Sequence, residues 1–188
     1  MTSQPRGVAE RAAARDPWRT GPLYIDFTEY IGVYPSTSIS RVRGPSQLAY
    51  FVNRRQITIE WGHCDPSGVL FNSRYFEFSD WSTALLFEAA SGMTKPELMA
   101  RYDANMPLVD VRGRFFKTLR LADVVEVAST IREFRRSSFD VSHHFLRDGE
   151  VAAETQETRV WCTIDSDDPP ALKSRPLPAE LIALMTID

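Results

Sequence analysis

Apolar and polar positions alternate along much of the second half of the chain, and one stretch before it carries apolar residues at helical spacing instead. From Gln56 onward, Ile57, Ile59 and Trp61 alternate with Thr58 and Glu60, which predicts a half-buried strand that stops at Gly62. The following residues, GHCDPSGVLF, hold one proline and two glycines and read as a loop. Asn72 or Ser73 can then cap a helix from about Arg74 to Ser91, with Gly92 as its C-terminal stop. Tyr75, Phe76, Phe78, Trp81, Leu85, Leu86 and Phe87 cover most of its circumference, the signature of a central helix wrapped by a sheet. Glu77, Asp80, Thr83, Ala84 and Glu88 leave only a narrower polar face.

Thr94 and Glu97 match a capping box, with Pro96 tolerated in the first turn, so a short second helix follows and ends before Pro107. Strand-like stretches come at about 107–117, 123–135, 138–147 and 150–164, the last two joined by Asp148-Gly149, a strong hairpin signal. One strand, one long buried helix and an antiparallel meander is the predicted order. Residues 165–178 are rich in Asp and Pro and read as extended, before a last short helix from Pro178 to Met185. Residues 1–50 divide from the domain at 51–188 as an N-terminal extension: the first twenty show no sustained apolar period, and the rest scatter aromatics among Gly, Pro and Ser.

Composition narrows the class. The chain has 188 residues, 43% hydrophobic, with 25 acidic and 22 basic residues for a net charge of −3. That length buries a core, and that charge argues against a nucleic-acid footprint over the whole surface. The longest apolar runs fall far short of the roughly 20 residues a membrane span needs, and no secretory h-region opens the sequence. Two cysteines, Cys64 and Cys162, make no disulfide framework, so a cytoplasmic protein is expected.

Reactive groups concentrate in His63-Cys64-Asp65-Pro66-Ser67-Gly68, between a strand and a helix N-terminus where free backbone N–H groups can hold an oxyanion. Asp65 can attack a carbonyl or deprotonate a water, and an Asp before Pro also builds an Asx turn with its own backbone. Adjacent His63 and Cys64 point apart on an extended segment, which makes a Cys-His pair the poorer reading and Cys64 an inert thiol. His143 shares a strand face with Phe139, Val141 and Phe145 and reads as core, and no metal-ligand set is complete. From Arg112 to Arg136 the chain carries seven basic and three acidic residues, against the negative sign of the whole. Exposed strand faces account for such an excess, as does a phosphate clamp, for which Arg135-Arg136-Ser137-Ser138 sets guanidinium forks beside hydroxyls at a hairpin end.

The stretch EWGHCDPSGVLFNSRYFEFSDWSTALLF, Glu60 to Phe87, resembles the hot-dog-fold thioesterases, and within them the 4-hydroxybenzoyl-CoA thioesterase group. Pro107 to Phe139, with Asp123 ahead of an alternating strand and an Arg-Arg-x-Ser-Phe turn, and the Pro178-Ala179 ending agree with it, so that the likeness covers about residues 54–186. The resemblance implies an α+β hot-dog fold, an antiparallel sheet wrapped around a long central helix, paired edge to edge into a homodimer and often a homotetramer. It implies an acyl-CoA substrate, aryl in type, and no cofactor beyond the coenzyme A of that substrate. Asp65 is the implied catalytic carboxylate, as nucleophile or general base; the Asn72 backbone N–H polarises the thioester carbonyl, and Gly68 leaves room for the acyl group. Asp80 matches a carboxylate that meets a ring hydroxyl across the dimer interface, and Arg135, Arg136 and Ser138 match contacts to pantetheine or phosphate. His63 stands where an acidic residue is common, Asn72 where Tyr or His is, and Ser137 where aryl-CoA members have Lys. A non-catalytic acyl-CoA-binding module and a thioesterase acting on an acyl carrier protein are the competing readings.

Overall fold

The computed structural model describes residues 42–43, 49–165 and 171–187, so the expected N-terminal extension lies almost wholly outside the described residues. The chain runs β1 (Val42–Arg43), β2 (Ala49–Tyr50), β3 (Val52–Thr58), α1 (Asn72–Ser91), α2 (Lys95–Tyr102), β4 (Leu108–Phe115), β5 (Val124–Phe134), β6 (Ser138–Arg147), β7 (Glu150–Val160), β8 (Cys162–Asp165), β9 (Ala171–Ser174), α3 (Ala179–Met185) and β10 (Thr186–Ile187). Five strands form one antiparallel sheet in the order β3-β5-β6-β7-β4, and α1 packs against one face of it. Small pairings of β1-β2-β10 and β8-β9 flank this core. The fold is the expected α+β hot-dog arrangement. Among the described residues no helix is long and apolar enough to cross a membrane.

Local sequence accounts for most element ends. Gly92 closes α1 in the left-handed region at φ 71°, and its N–H donates to the Glu88 carbonyl. Thr94 and Glu97 form the expected reciprocal capping box. Asp148 and Gly149 both take positive φ, as a two-residue turn of the mirror-image type requires.

Three expectations are corrected. The first strand of the sheet is Val52–Thr58 rather than Gln56–Trp61, and Trp61 lies in a 3₁₀ turn, 82% exposed. The alternation of Ile57, Ile59 and Trp61 is arithmetical only past Thr58, because Ile59 leaves the ladder to bond Asp123 and Ala122. Helix α1 starts at Asn72 itself, behind Phe71, with no side-chain cap from Asn72 or Ser73. The stretch 150–164 is two strands: it breaks at Trp161, whose N–H turns to the Ser137 carbonyl, and β8 then pairs with β9.

The helix also differs in character from the greasy cylinder its sequence suggests. Trp81 is 60% exposed, whereas Ser79, Ser82 and Thr83 are buried against the sheet. Each is satisfied there: Ser79 Oγ lies 2.6 Å from Thr155 Oγ1, Ser82 Oγ donates to the Phe78 carbonyl at 2.6 Å, and Thr83 Oγ1 donates to Glu157 at 2.7 Å.

Candidate active site

Asp65, Pro66, Ser67 and Gly68 form a turn at the tip of a small hairpin between the sheet and α1. The Gly68 N–H donates to the Asp65 carbonyl at 3.0 Å, with Asp at the first position, Pro at the second and Gly at the fourth, as a type I turn favours. Gly68 has φ 78°, a conformation that a side chain would strain, and nothing lies within 4 Å of where its Cβ would stand. Cys64 and Leu70 pair across the hairpin, and the Phe71 N–H reaches the His63 carbonyl at 3.0 Å, which seats the loop directly on the first turn of α1. A second segment braces it: Leu70 donates to the Leu119 carbonyl, and Leu121 donates to the Gly68 carbonyl. That brace is fixed by Asp123, whose carboxylate accepts from the Arg120 N–H and from Arg147 Nη1, both at 2.8 Å.

The Asp65 side chain is oriented by the same turn. Its Oδ1 accepts from Ser67 Oγ at 2.6 Å, the Ser67 N–H at 2.8 Å and the Val69 N–H at 3.2 Å. The Ser67 hydroxyl foremost, then the backbone donors, hold the exposed carboxyl below its ordinary pKa, so Asp65 is an anion at neutral pH. The Asx turn and the reactive carboxylate are therefore one object, since the bonds that make the turn fix Oδ1 and leave the other oxygen outside them. At the start of α1 the Asn72 N–H has no hydrogen-bond partner among the described residues, as befits the first residue of a helix. Asp65, Gly68 and Asn72 are thus brought together. His63 is a satisfied loop histidine: its Nδ1 accepts from the Glu60 N–H at 3.0 Å and its ring meets Phe78 edge to face. Cys64 and Cys162 are free thiols, and burial pushes that of Cys162 up.

Asp80 lies about 12 Å along α1 from Asn72. Its Oδ1 accepts from Arg159 Nη2 at 2.5 Å, a partner that the sequence did not announce. Arg159 leads into a buried cluster: its Nε donates to Glu157 Oε2 at 2.9 Å and its Nη1 to the Met106 carbonyl at 3.1 Å. Glu157 Oε2 also takes the Thr83 hydroxyl and lies 3.7 Å from His143 Nε2, while His143 Nδ1 stands 2.8 Å from Ser129 Oγ. Burial raises the Glu157 carboxyl, but the contacts from His143 and Arg159 outweigh it and hold it down at about 2. Burial likewise lowers the His143 pKa against the pull of Glu157, which leaves Arg159 as the cation of the cluster near neutral pH. His143 is a core residue, as expected, yet its neighbours are polar.

Arg135, Arg136 and Ser138 do not join Asp65 within one chain. Thr58 pairs with Val124 at one end of the sheet, whereas the β5-β6 turn that carries them is at the other. With β5 11 residues long, the two ends are separated by roughly 35 Å. Arg135 is committed to Asp140 through two bonds, at 2.5 and 3.0 Å, to Glu133 at 2.6 Å, and to Ser138 Oγ at 3.0 Å. Arg136 is exposed, with no side-chain partner among the described residues.

Comparison with known proteins bears on the family and the fold. A model described as the thioesterase-like superfamily matches residues 59–183. The 4-hydroxybenzoyl-CoA thioesterase of Pseudomonas sp. (strain CBS-3) is 27% identical over 135 residues, covering 69% of this chain and 94% of that protein. A solved structure of 4-hydroxybenzoyl-CoA thioesterase from the same strain superimposes with a TM-score of 0.65 at 25% identity, over 71% of this chain and 98% of its own. A 1,4-dihydroxy-2-naphthoyl-CoA thioesterase from Synechocystis shares the fold with a TM-score of 0.61 at 16% identity, over 71% of this chain and 94% of its own.

Proposed function

The chain belongs to the thioesterase-like superfamily, and from that membership we propose that it hydrolyses an aryl-CoA thioester to the free acid and coenzyme A. The observation that carries the reading is the Asp65 carboxylate, pinned in its turn against the open N-terminus of α1. A thioester carbonyl seated on the Asn72 N–H has its developing oxyanion at the positive end of the helix. Asp65 attacks the carbonyl carbon through the oxygen outside the turn bonds, the C–S bond breaks, and coenzyme A leaves as the thiolate to take a proton from solvent. Water then hydrolyses the mixed anhydride, releasing the acid and restoring Asp65. A carboxylate held below its ordinary pKa is ionised at neutral pH, as attack on the carbonyl or deprotonation of a water by Asp65 requires.

Substrate class follows from the second carboxylate and the relatives. Asp80 offers an acceptor for a ring hydroxyl, and a named relative acts on 4-hydroxybenzoyl-CoA. Arg136 supplies an uncommitted guanidinium for a phosphate of coenzyme A, and Arg135 with Ser138 frames that turn. The separation of Arg136 from Asp65 is resolved by a two-fold pairing through β4. Among the described residues only one side of this strand is paired, with β7, and it exposes Leu108, Val109 and Phe115. Antiparallel pairing of an edge with its own copy turns the second sheet end for end, so the Asp65 end of one protomer meets the Arg136 end of the other.

Thiol release measured across benzoyl-, hydroxybenzoyl-, short-chain and long-chain acyl-CoAs tests the substrate class. Hydroxybenzoyl-CoA is expected to have the highest kcat/KM, and a preference for a long alkyl chain would overturn the aryl reading.

A further inference from the structure

Asp80 is a half-exposed carboxylate on a helix surface, a side chain that would ordinarily sample several rotamers. Here one oxygen is fixed by a guanidinium that has almost no exposure and no freedom of its own. Arg159 spends Nε on Glu157, Nη1 on the Met106 carbonyl and Nη2 on Asp80. Glu157 is completely buried and held by Thr83, which lies three residues beyond Asp80 on α1 and therefore on the same face of that helix. The chain of contacts runs Asp80, Arg159, Glu157, Thr83 and returns to α1. It locks the roll of the helix and the direction of the Asp80 carboxylate together.

Stability is a poor reason for such a cluster, since a buried ion pair contributes no more than apolar side chains of similar volume would, and often less. Glu157 and Arg159 occupy two successive inward positions of β7 in a sheet whose other inward rows are largely apolar, and one carboxylate oxygen of Glu157 is buried without a partner. We propose that Arg159, anchored by Glu157, is a positioning residue that sets the Asp80 carboxylate to accept a hydroxyl on the acyl ring, and so determines selectivity for hydroxylated aryl-CoA. This rests on the assignment of Asp80 to the acyl site. Arg159 is too buried to touch the substrate and acts through Asp80 alone. Because Oδ1 is taken by Arg159, Oδ2 is the oxygen left to face the ring.

The test compares kcat/KM for 4-hydroxybenzoyl-CoA and benzoyl-CoA in the full-length protein and in Asp80→Ala, Arg159→Lys and the pair Arg159→Met with Glu157→Met. Lysine keeps the charge beside Glu157 but lacks the planar fork that spans Glu157, the Met106 carbonyl and Asp80. The double replacement removes both buried charges, so that no buried carboxylate is stranded and the test survives if the lysine variant fails to fold. The expected result is a loss of discrimination by about 10- to 100-fold in each, the scale of one hydrogen bond to a charged group, through a fall in kcat/KM for 4-hydroxybenzoyl-CoA that exceeds any change for benzoyl-CoA. Adding Asp80→Ala to Arg159→Lys is expected to cause no further loss. Discrimination lost in Asp80→Ala but kept in both Arg159 variants would overturn the role of Arg159 and leave Asp80 in place. Discrimination kept in Asp80→Ala would overturn both. Equal falls for the two substrates would make Arg159 a structural residue and overturn the proposal.

Discussion

At the scale of single residues, the decisive feature is that one turn both shapes and ionises Asp65. Three donors converge on Oδ1, and the hydroxyl of Ser67 is the nearest of them. A folded-state pKa below the ordinary value of about 3.9 keeps the anion present as pH falls through the weakly acidic range. Ser67→Ala removes the nearest donor and should raise the acid limb of the kcat/KM profile toward that ordinary value, measured by thiol release between pH 3 and 7. An acid limb identical to wild type would show that Ser67 does not govern the ionisation of Asp65. Much of this was legible in the chain, since Asp-Pro-Ser-Gly spells both a type I turn and a carboxylate before a helix. The partner of Asp80 was not. Arg159 is 79 residues away in sequence, and a charged residue in the inward register of a strand looks like solvent-facing alternation until the sheet's neighbours are known.

Elements show the same division between local and distant causes. The capping box of α2, the Gly92 stop of α1 and the Asp148-Gly149 turn are decided within a few residues, and all were readable. The start of β3 was not, because Arg55 occupies an inward position and finds its acceptors on α1, at Ser82 Oγ and the Phe78 carbonyl. Helix α1 is likewise tied to β7 by polar contacts that its apolar spacing conceals. Glu157 gives those ties a pH signature. Its folded pKa, about 2, lies below the ordinary value near 4.3, so its stabilisation is present in full above the latter and is lost as pH falls through the former. Acid unfolding followed by circular dichroism should therefore show stability declining from about pH 4.5 toward pH 2. Glu157→Gln should be less stable at neutral pH, by on the order of 1–3 kcal/mol, and should lose that part of the pH dependence. An unchanged acid slope would place the ionisation elsewhere.

For the whole molecule, the sheet separates what the proposed function would unite. The carboxylate turn and the Arg136 turn sit at opposite ends of β5, and the proposed two-fold pairing across β4 would bring them to one end. The residues of both turns stood out in the sequence, but their separation did not, because it depends on strand register. If the sites are shared, mixing Asp65→Asn protomers with Arg136→Glu protomers after dissociation should regenerate one intact site in each mixed dimer, about a quarter of wild-type activity. No recovery in dimers shown to have exchanged would mean that each protomer carries its own complete site. The central claim remains that Asp65 performs the hydrolysis. Its most direct test is kcat/KM of wild type and Asp65→Asn on 4-hydroxybenzoyl-CoA, with circular dichroism showing that both are folded. A fall of about 10²- to 10⁴-fold is predicted, and unchanged hydrolysis by the folded variant would contradict the mechanism.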